Sequence, residues 1–108
     1  MKPVWEDFIN ELMDESNVLA KDELINLIKN TKSDSEDFLK RQGEKMELYI
    51  GQLAFKAISK EQFIGYMTDI KTLTEIQSEK MKIQAKARAQ RLAKGIGNLI
   101  LDRLTKLI

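Results

Sequence analysis

A chain of 108 residues with 43% hydrophobic residues and a net charge of +1 has material for one buried core and is too short for two independent ones. It contains no cysteine and no histidine, which removes disulfides, thiolate metal sites, cysteine nucleophiles, the usual general base at neutral pH and the commonest zinc ligand. One proline, five glycines and an abundance of Leu, Ile, Ala, Lys, Glu and Gln predict an all-helical protein.

The small net charge hides an asymmetry. Residues 1–79 carry 10 Lys and Arg against 16 Asp and Glu, a net of −6, while residues 80–108 carry 8 basic residues against Asp102 alone, a net of +7. Such a split points to an acidic partner, an anionic surface, or antiparallel self-pairing of acidic and basic ends. The lack of cysteine fits a reducing compartment, and a cytoplasmic location is the expectation. The start, Met1 to Asp7, turns acidic at once and does not read as a secretory signal, and no apolar run exceeds three residues, which excludes a membrane-spanning helix.

Pro3 has the position of a first helical residue, and Glu6 and Asp7 in the first turn suit the positive end of the helix dipole. Trp5, Phe8, Ile9, Leu12, Met13, Leu19, Ala20, Leu24 and Leu27 then share one face, which predicts a single helix from about residue 3 to 30. Its weakest stretch is Asp14 to Asn17, where short polar side chains compete for the backbone. Val18 and Ile25 fall off the main face and read as ordinary surface.

After a polar connector over Asn30 to Ser35, Ser33 and Glu36 have capping-box spacing and open a second helix, about residues 34–57. Phe38, Leu39, Met46, Tyr49, Ile50, Leu53 and Ala57 form its inner face, with Gln42 among them, and Leu48 and Phe55 lie on the opposite side. The short connector predicts that helices one and two are antiparallel neighbours.

The third helix, about residues 59–94, has the best-marked start. Ser59 and Gln62 form a capping box, and Ile58 and Phe63 have the spacing of a hydrophobic staple. Phe63, Met67, Ile70, Thr74, Gln77 and Met81 make a coiled-coil-like seam that continues through Ala85, Ala89, Leu92, Ile96 and Leu99 after a stutter. A second row, Tyr66, Leu73, Ile76, Ile83 and Ala87, lies about 120° around the helix at about 100° per residue. Two apolar rows imply two neighbours: the rest of this chain and a second copy.

Three lengths sharpen that expectation. Helices of about 27 and 24 residues span about 40 and 36 Å, whereas a third of about 36 residues spans about 54 Å and leaves about 15 Å of apolar stripe uncovered. Gly95 and Gly97 weaken the helix and predict a hinge, because each glycine costs about 1 kcal/mol relative to alanine in a helix interior. Beyond them Leu99, Ile100, Leu101, Leu104, Leu107 and Ile108 are too apolar to stay loose in water, so the tail must fold back, pair with another chain or lie on a membrane.

No constellation of residues carries chemistry. Asp14, Glu15, Asp22 and Glu23 read as a solvated face, and a di-iron Glu-x-x-His site is impossible without histidine. Ala54 to Ala57 lack the alternating carboxylates of a calcium loop, and Gly95-x-Gly97 lacks the further glycine and preceding strand of a dinucleotide loop. The cations Lys80, Lys82, Lys86, Arg88, Arg91 and Lys94 project in nearly all directions and no aromatic residue follows Tyr66, which argues against specific nucleic-acid recognition.

The expectation is therefore an all-α protein: an antiparallel hairpin packed on one long third helix, with a short C-terminal segment over residues 96–108 and a bundle completed by oligomerisation. The expected function is a non-enzymatic oligomerisation or protein-interaction module without metal or cofactor. Tyr66, Leu73, Ile76 and Ile83 would carry self-association or contact with another helical protein, and Ile96, Leu99, Ile100, Leu104 and Leu107 a tail contact. The alternatives are a peripheral protein on an anionic membrane surface, held by the basic amphipathic stretch Lys86 to Ile108, and a non-specific nucleic-acid binder.

Overall fold

The computed structural model describes residues 3–13 and 17–108, and its regular elements are all helical. Among the described residues there are five α-helices: α1 (Val4–Leu12), α2 (Val18–Lys32), α3 (Asp37–Ala54), α4 (Lys60–Ser78) and α5 (Ile83–Gly95). A π-helical segment, Ile96–Leu101, and a 3-10 turn, Leu104–Leu107, follow directly.

The continuous helix expected from about residue 3 to 30 is two helices. Pro3 is the N-cap of α1 and not its first helical residue; its carbonyl accepts from the Glu6 and Asp7 N–H groups, both at 3.1 Å. Met13 turns extended, with φ −96° and ψ 101°, and ends α1. The interruption falls at the stretch the sequence marks as weakest, of which Asp14, Glu15 and Ser16 lie outside the described residues. Breaking the helix changes its phase, so Leu19 is 75% exposed while Ile25 enters the core, the reverse of the single-helix expectation.

The Ser33–Glu36 capping box does not form. Asp34 takes its place: Oδ1 accepts from the Glu36 N–H at 2.9 Å just before α3. At the far end of α3, the Lys56 N–H donates to the Leu53 carbonyl at 3.0 Å and the Ala57 N–H to the Gln52 carbonyl at 2.8 Å, the paired bonds of a Schellman stop. Lys56 sits there at φ +59°, a left-handed conformation that disfavours a side chain with a Cβ. Lys56→Gly is therefore expected to raise stability by about 1 kcal/mol, read as a higher urea midpoint with unchanged slope.

The Ser59 box is present as the sequence implies, with Gln62 N–H to Ser59 Oγ at 3.1 Å and Ser59 N–H to Gln62 Oε1 at 2.8 Å. The helix it opens is not 36 residues long. It stops at Ser78, whose hydroxyl donates to the Glu75 carbonyl at 2.7 Å, and the chain turns through Glu79 to Lys82 before α5 begins. α5 packs back on α4, and Lys86 reaches Glu79 across the turn at 3.7 Å. With 19 residues α4 spans about 28 Å, so the uncovered stripe of about 15 Å expected from a longer rod does not exist.

The glycine pair does not form a hinge either; helical structure runs through it into the π-helical segment. A Cβ on Gly95 would stand 2.4 Å from Leu27 Cδ2, so the residue is small because α2 lies against α5 there. The same segment carries Ile96, Leu99 and Ile100 into the core, Leu104 follows, and the 3-10 turn returns to α1.

These residues join Ile9, Met13, Leu24, Ile28, Leu39, Met46, Ile50, Phe63, Met67, Ile70, Ala89 and Leu92 in one cluster. Gln42 is buried among them and satisfied, its Nε2 donating to Thr74 Oγ1 at 3.0 Å and to the Ile70 carbonyl at 3.3 Å, which ties α3 to α4. The radius of gyration, 13.2 Å, matches the about 13 Å expected of a folded chain of this length. One copy of the chain thus encloses its core unaided.

Candidate interaction surface

Among the described residues no group of three or more Asp or Glu side chains could hold a metal ion. No helix among them is long and apolar enough to cross a membrane. What the fold does present is apolar side chains left in water after the core is filled. α4 buries Phe63, Met67, Ile70, Thr74 and Ser78 along one side. At about 100° per residue, Leu73 and Ile76 then project from the other flank, and they are 38% and 55% exposed. Ile83, the first residue of α5, is 87% exposed. Tyr66, one turn before Asp69 and two before Leu73, is half-buried because its ring stacks on Tyr49 of α3, with centroids 4.6 Å apart. Tyr66, Leu73, Ile76 and Ile83 thus all remain at the surface, but the break between α4 and α5 separates Ile83 from the other three.

The expected tail contact fares differently. Ile96, Ile100 and Leu104 are fully buried and Leu99 nearly so, all within the chain's own core, and of the five only Leu107 is substantially exposed. In this fold the first four are committed inside the subunit and cannot also meet a partner. The same burial bears on the membrane alternative: Ala89, Leu92, Ala93, Ile96 and Ile100 face inward, so the apolar side of Lys86 to Ile108 would have to leave the core to meet lipid.

The basic run is partly neutralised within the fold. Arg88 Nε and Nη2 donate to Asp34 Oδ2 and Oδ1 at 2.8 and 3.1 Å, a two-pronged bond between α5 and the α2–α3 connector. Burial by itself pushes the Asp34 carboxyl up, but the bonds from Arg88 and the Glu36 N–H outweigh it and hold the group below the usual carboxylate range, while Asp34 holds the Arg88 guanidinium above its ordinary value. A carboxyl depressed on folding contributes stability above its unfolded value, near pH 4, and loses that contribution as pH falls through the folded value. Asp34→Asn is therefore expected to lower the urea midpoint at neutral pH, with the gap to the parent protein closing below about pH 4. A gap that stays constant from neutral pH down to well below the carboxylate range would contradict the assignment.

A second apolar area lies where Val4, Leu48 and Phe55 border a cleft of about 320 Å³ between α1 and α3. A third, of about 420 Å³, lies between α2 and α5 and is lined by Leu27, Asn26, Asn30, Arg91, Lys94 and Asn98 among others. None of the interaction residues read from the sequence borders the first of these clefts, and only Leu99 among them lines the second. Comparison of the chain with protein-family models, curated proteins and solved structures finds no match.

Proposed function

We propose that the chain is a non-enzymatic helical interaction module. Its helices form a frame in which α2 with α3 and α4 with α5 act as packed pairs, and the working surface is the outer flank of α4 together with Ile83. One observation carries this reading: the core is closed, yet Leu73 and Ile76, three residues apart on α4, stay in water, as does Ile83 at the start of α5. Burying such groups against a partner is favourable by about 25 cal/mol per Å² of apolar area, whereas scattered single residues of this kind need no partner.

A photo-reactive phenylalanine analogue in place of Ile76 tests it inside the expressing cell, with the same analogue in place of the exposed Glu44 on α3 as the comparison. The expected result is one discrete adduct specific to position 76 and abolished by Leu73→Asp. The same adducts at both positions, or none at 76, would contradict a working surface on α4.

A further inference from the structure

The outer flank of α4 has an order that its apolar content alone does not require. Running along it are Tyr66, Asp69, Leu73 and Ile76, then Lys80 in the turn beyond the helix end. Leu73 and Ile76 are equidistant from the point between Thr74 and Glu75, and so are Asp69 and Lys80. Tight-turn bonds from the Glu79 N–H to the Ile76 carbonyl at 3.3 Å and from the Lys80 N–H to the Gln77 carbonyl at 3.0 Å prolong the helical path. At about 100–120° per residue they leave Lys80 near the same flank. From either direction the flank therefore reads charged, apolar, apolar, charged, and the two charges are opposite.

A surface with that order is complementary to itself under a two-fold rotation perpendicular to the helix, the symmetry of the commonest protein dimers. We infer that two copies of this chain pair antiparallel through α4, each Leu73 meeting the partner's Ile76 and each Asp69 the partner's Lys80. The inference rests on the working surface proposed above and assigns its partner. Asp69 and Lys80 are both exposed, and neither joins an ion pair among the described residues of its own subunit. A parallel pairing would set Asp69 against Asp69 and Lys80 against Lys80, so charge selects the antiparallel form. An anionic membrane fits the flank less well, because Glu61, Asp69, Glu75 and Glu79 are all exposed on or just after the same helix. The other two clefts show nothing comparable that names an occupant. A contact of this extent covers on the order of 500 Å² per subunit, the low end for specific interfaces, so the pair is expected to form and dissociate with concentration.

Sedimentation velocity from about 5 to about 500 µM reads the result directly, because such a weak pair populates both states over that span. The parent protein is expected to move from 12.5 kDa toward twice that mass. Asp69→Lys alone and Lys80→Asp alone each create two like-charge contacts and are expected to stay monomeric throughout, with melting temperatures near the parent's because both positions are exposed. An equimolar mixture of the two variants restores opposite charges at both contacts and should dimerise again, as should the double variant. A parent protein monomeric at every concentration overturns the inference, and so does any outcome in which neither the mixture nor the double variant exceeds the single variants. A position-76 adduct to a different protein, with a monomeric parent, would overturn the pairing while leaving the interaction surface standing; absence of any position-specific adduct would remove both.

Discussion

Gly43→Ala is expected to lower the melting temperature by on the order of 15 °C, through a cost of about 3 kcal/mol spread over a domain of this size. A Cβ built on Gly43 falls 2.6 Å from the Lys32 N and 2.9 Å from both the Lys32 Cα and the Thr31 carbonyl carbon. All three are backbone atoms of the last turn of α2, so no side chain can swing aside, and α2 must lift from α3. That motion loosens Ile28, Leu39 and Met46, which are fully buried in the shared core. Gly51→Ala is the control in the same helix: nothing lies within 4 Å of the place its methyl group would take, and the better helix former should add about 1 kcal/mol. Calorimetry on the two variants is expected to show shifts of opposite sign. Equal shifts would mean that α2 and α3 do not approach closely enough for Gly43 to be needed between them.

Ile100→Ala should cost about 3 kcal/mol, within the range of large-to-small changes at fully buried sites, whereas Ile76→Ala should stay within about 0.5 kcal/mol. The two isoleucines separate the inside of the subunit from its outside: Ile100 is wholly enclosed and Ile76 is more than half exposed. The dependence on protein concentration is as informative as the size. A core residue destabilises the monomer equally at every concentration, whereas an interface residue acts only where the assembly is populated. Ile100→Ala is expected to lower the urea midpoint by the same amount at about 2 µM and at about 200 µM, concentrations far apart on the assembly scale. An effect that disappears on dilution would return Ile100 to an interface.

Much of the core was legible because helical spacing survives wherever a helix is unbroken. Phe63, Met67, Ile70 and Thr74 are the inner row of α4 both by spacing and by burial, and Ser59 with Gln62 closes the capping box the pattern implies. Local chemistry decides both features. The break between α4 and α5 was harder to read. Glu79, Lys80, Met81 and Lys82 contain no glycine or proline and would suit a helix interior, and it is packing of α5 on α4 that rewards the turn. Two signals pointed there: Ser78, able to bond the backbone it should extend, and the stutter after Met81, where the apolar row of one helix gives way to that of another. Gly95 misled in the opposite direction, since its smallness serves the close approach of Leu27 and not a bend.

The surface row was legible for a related reason. Leu73 and Ile76 belong to the outer flank whether α4 is 19 residues long or longer, since neither break lies between them. The tail residues were misplaced because their destination depends on where α5 turns, a tertiary fact. Once α5 folds back, Ile96, Ile100 and Leu104 reach the core.

Amide hydrogen exchange over residues 96–104, at a dilution where sedimentation gives a single 12.5 kDa species, tests most directly whether one copy encloses its own core. Protection there matching that of Phe63 to Ile70 is the expected result, including at the Asp102 N–H, which donates to the Gly97 carbonyl at 3.0 Å. Rapid exchange across this segment in the monomer, with protection gained only as concentration rises, would contradict it.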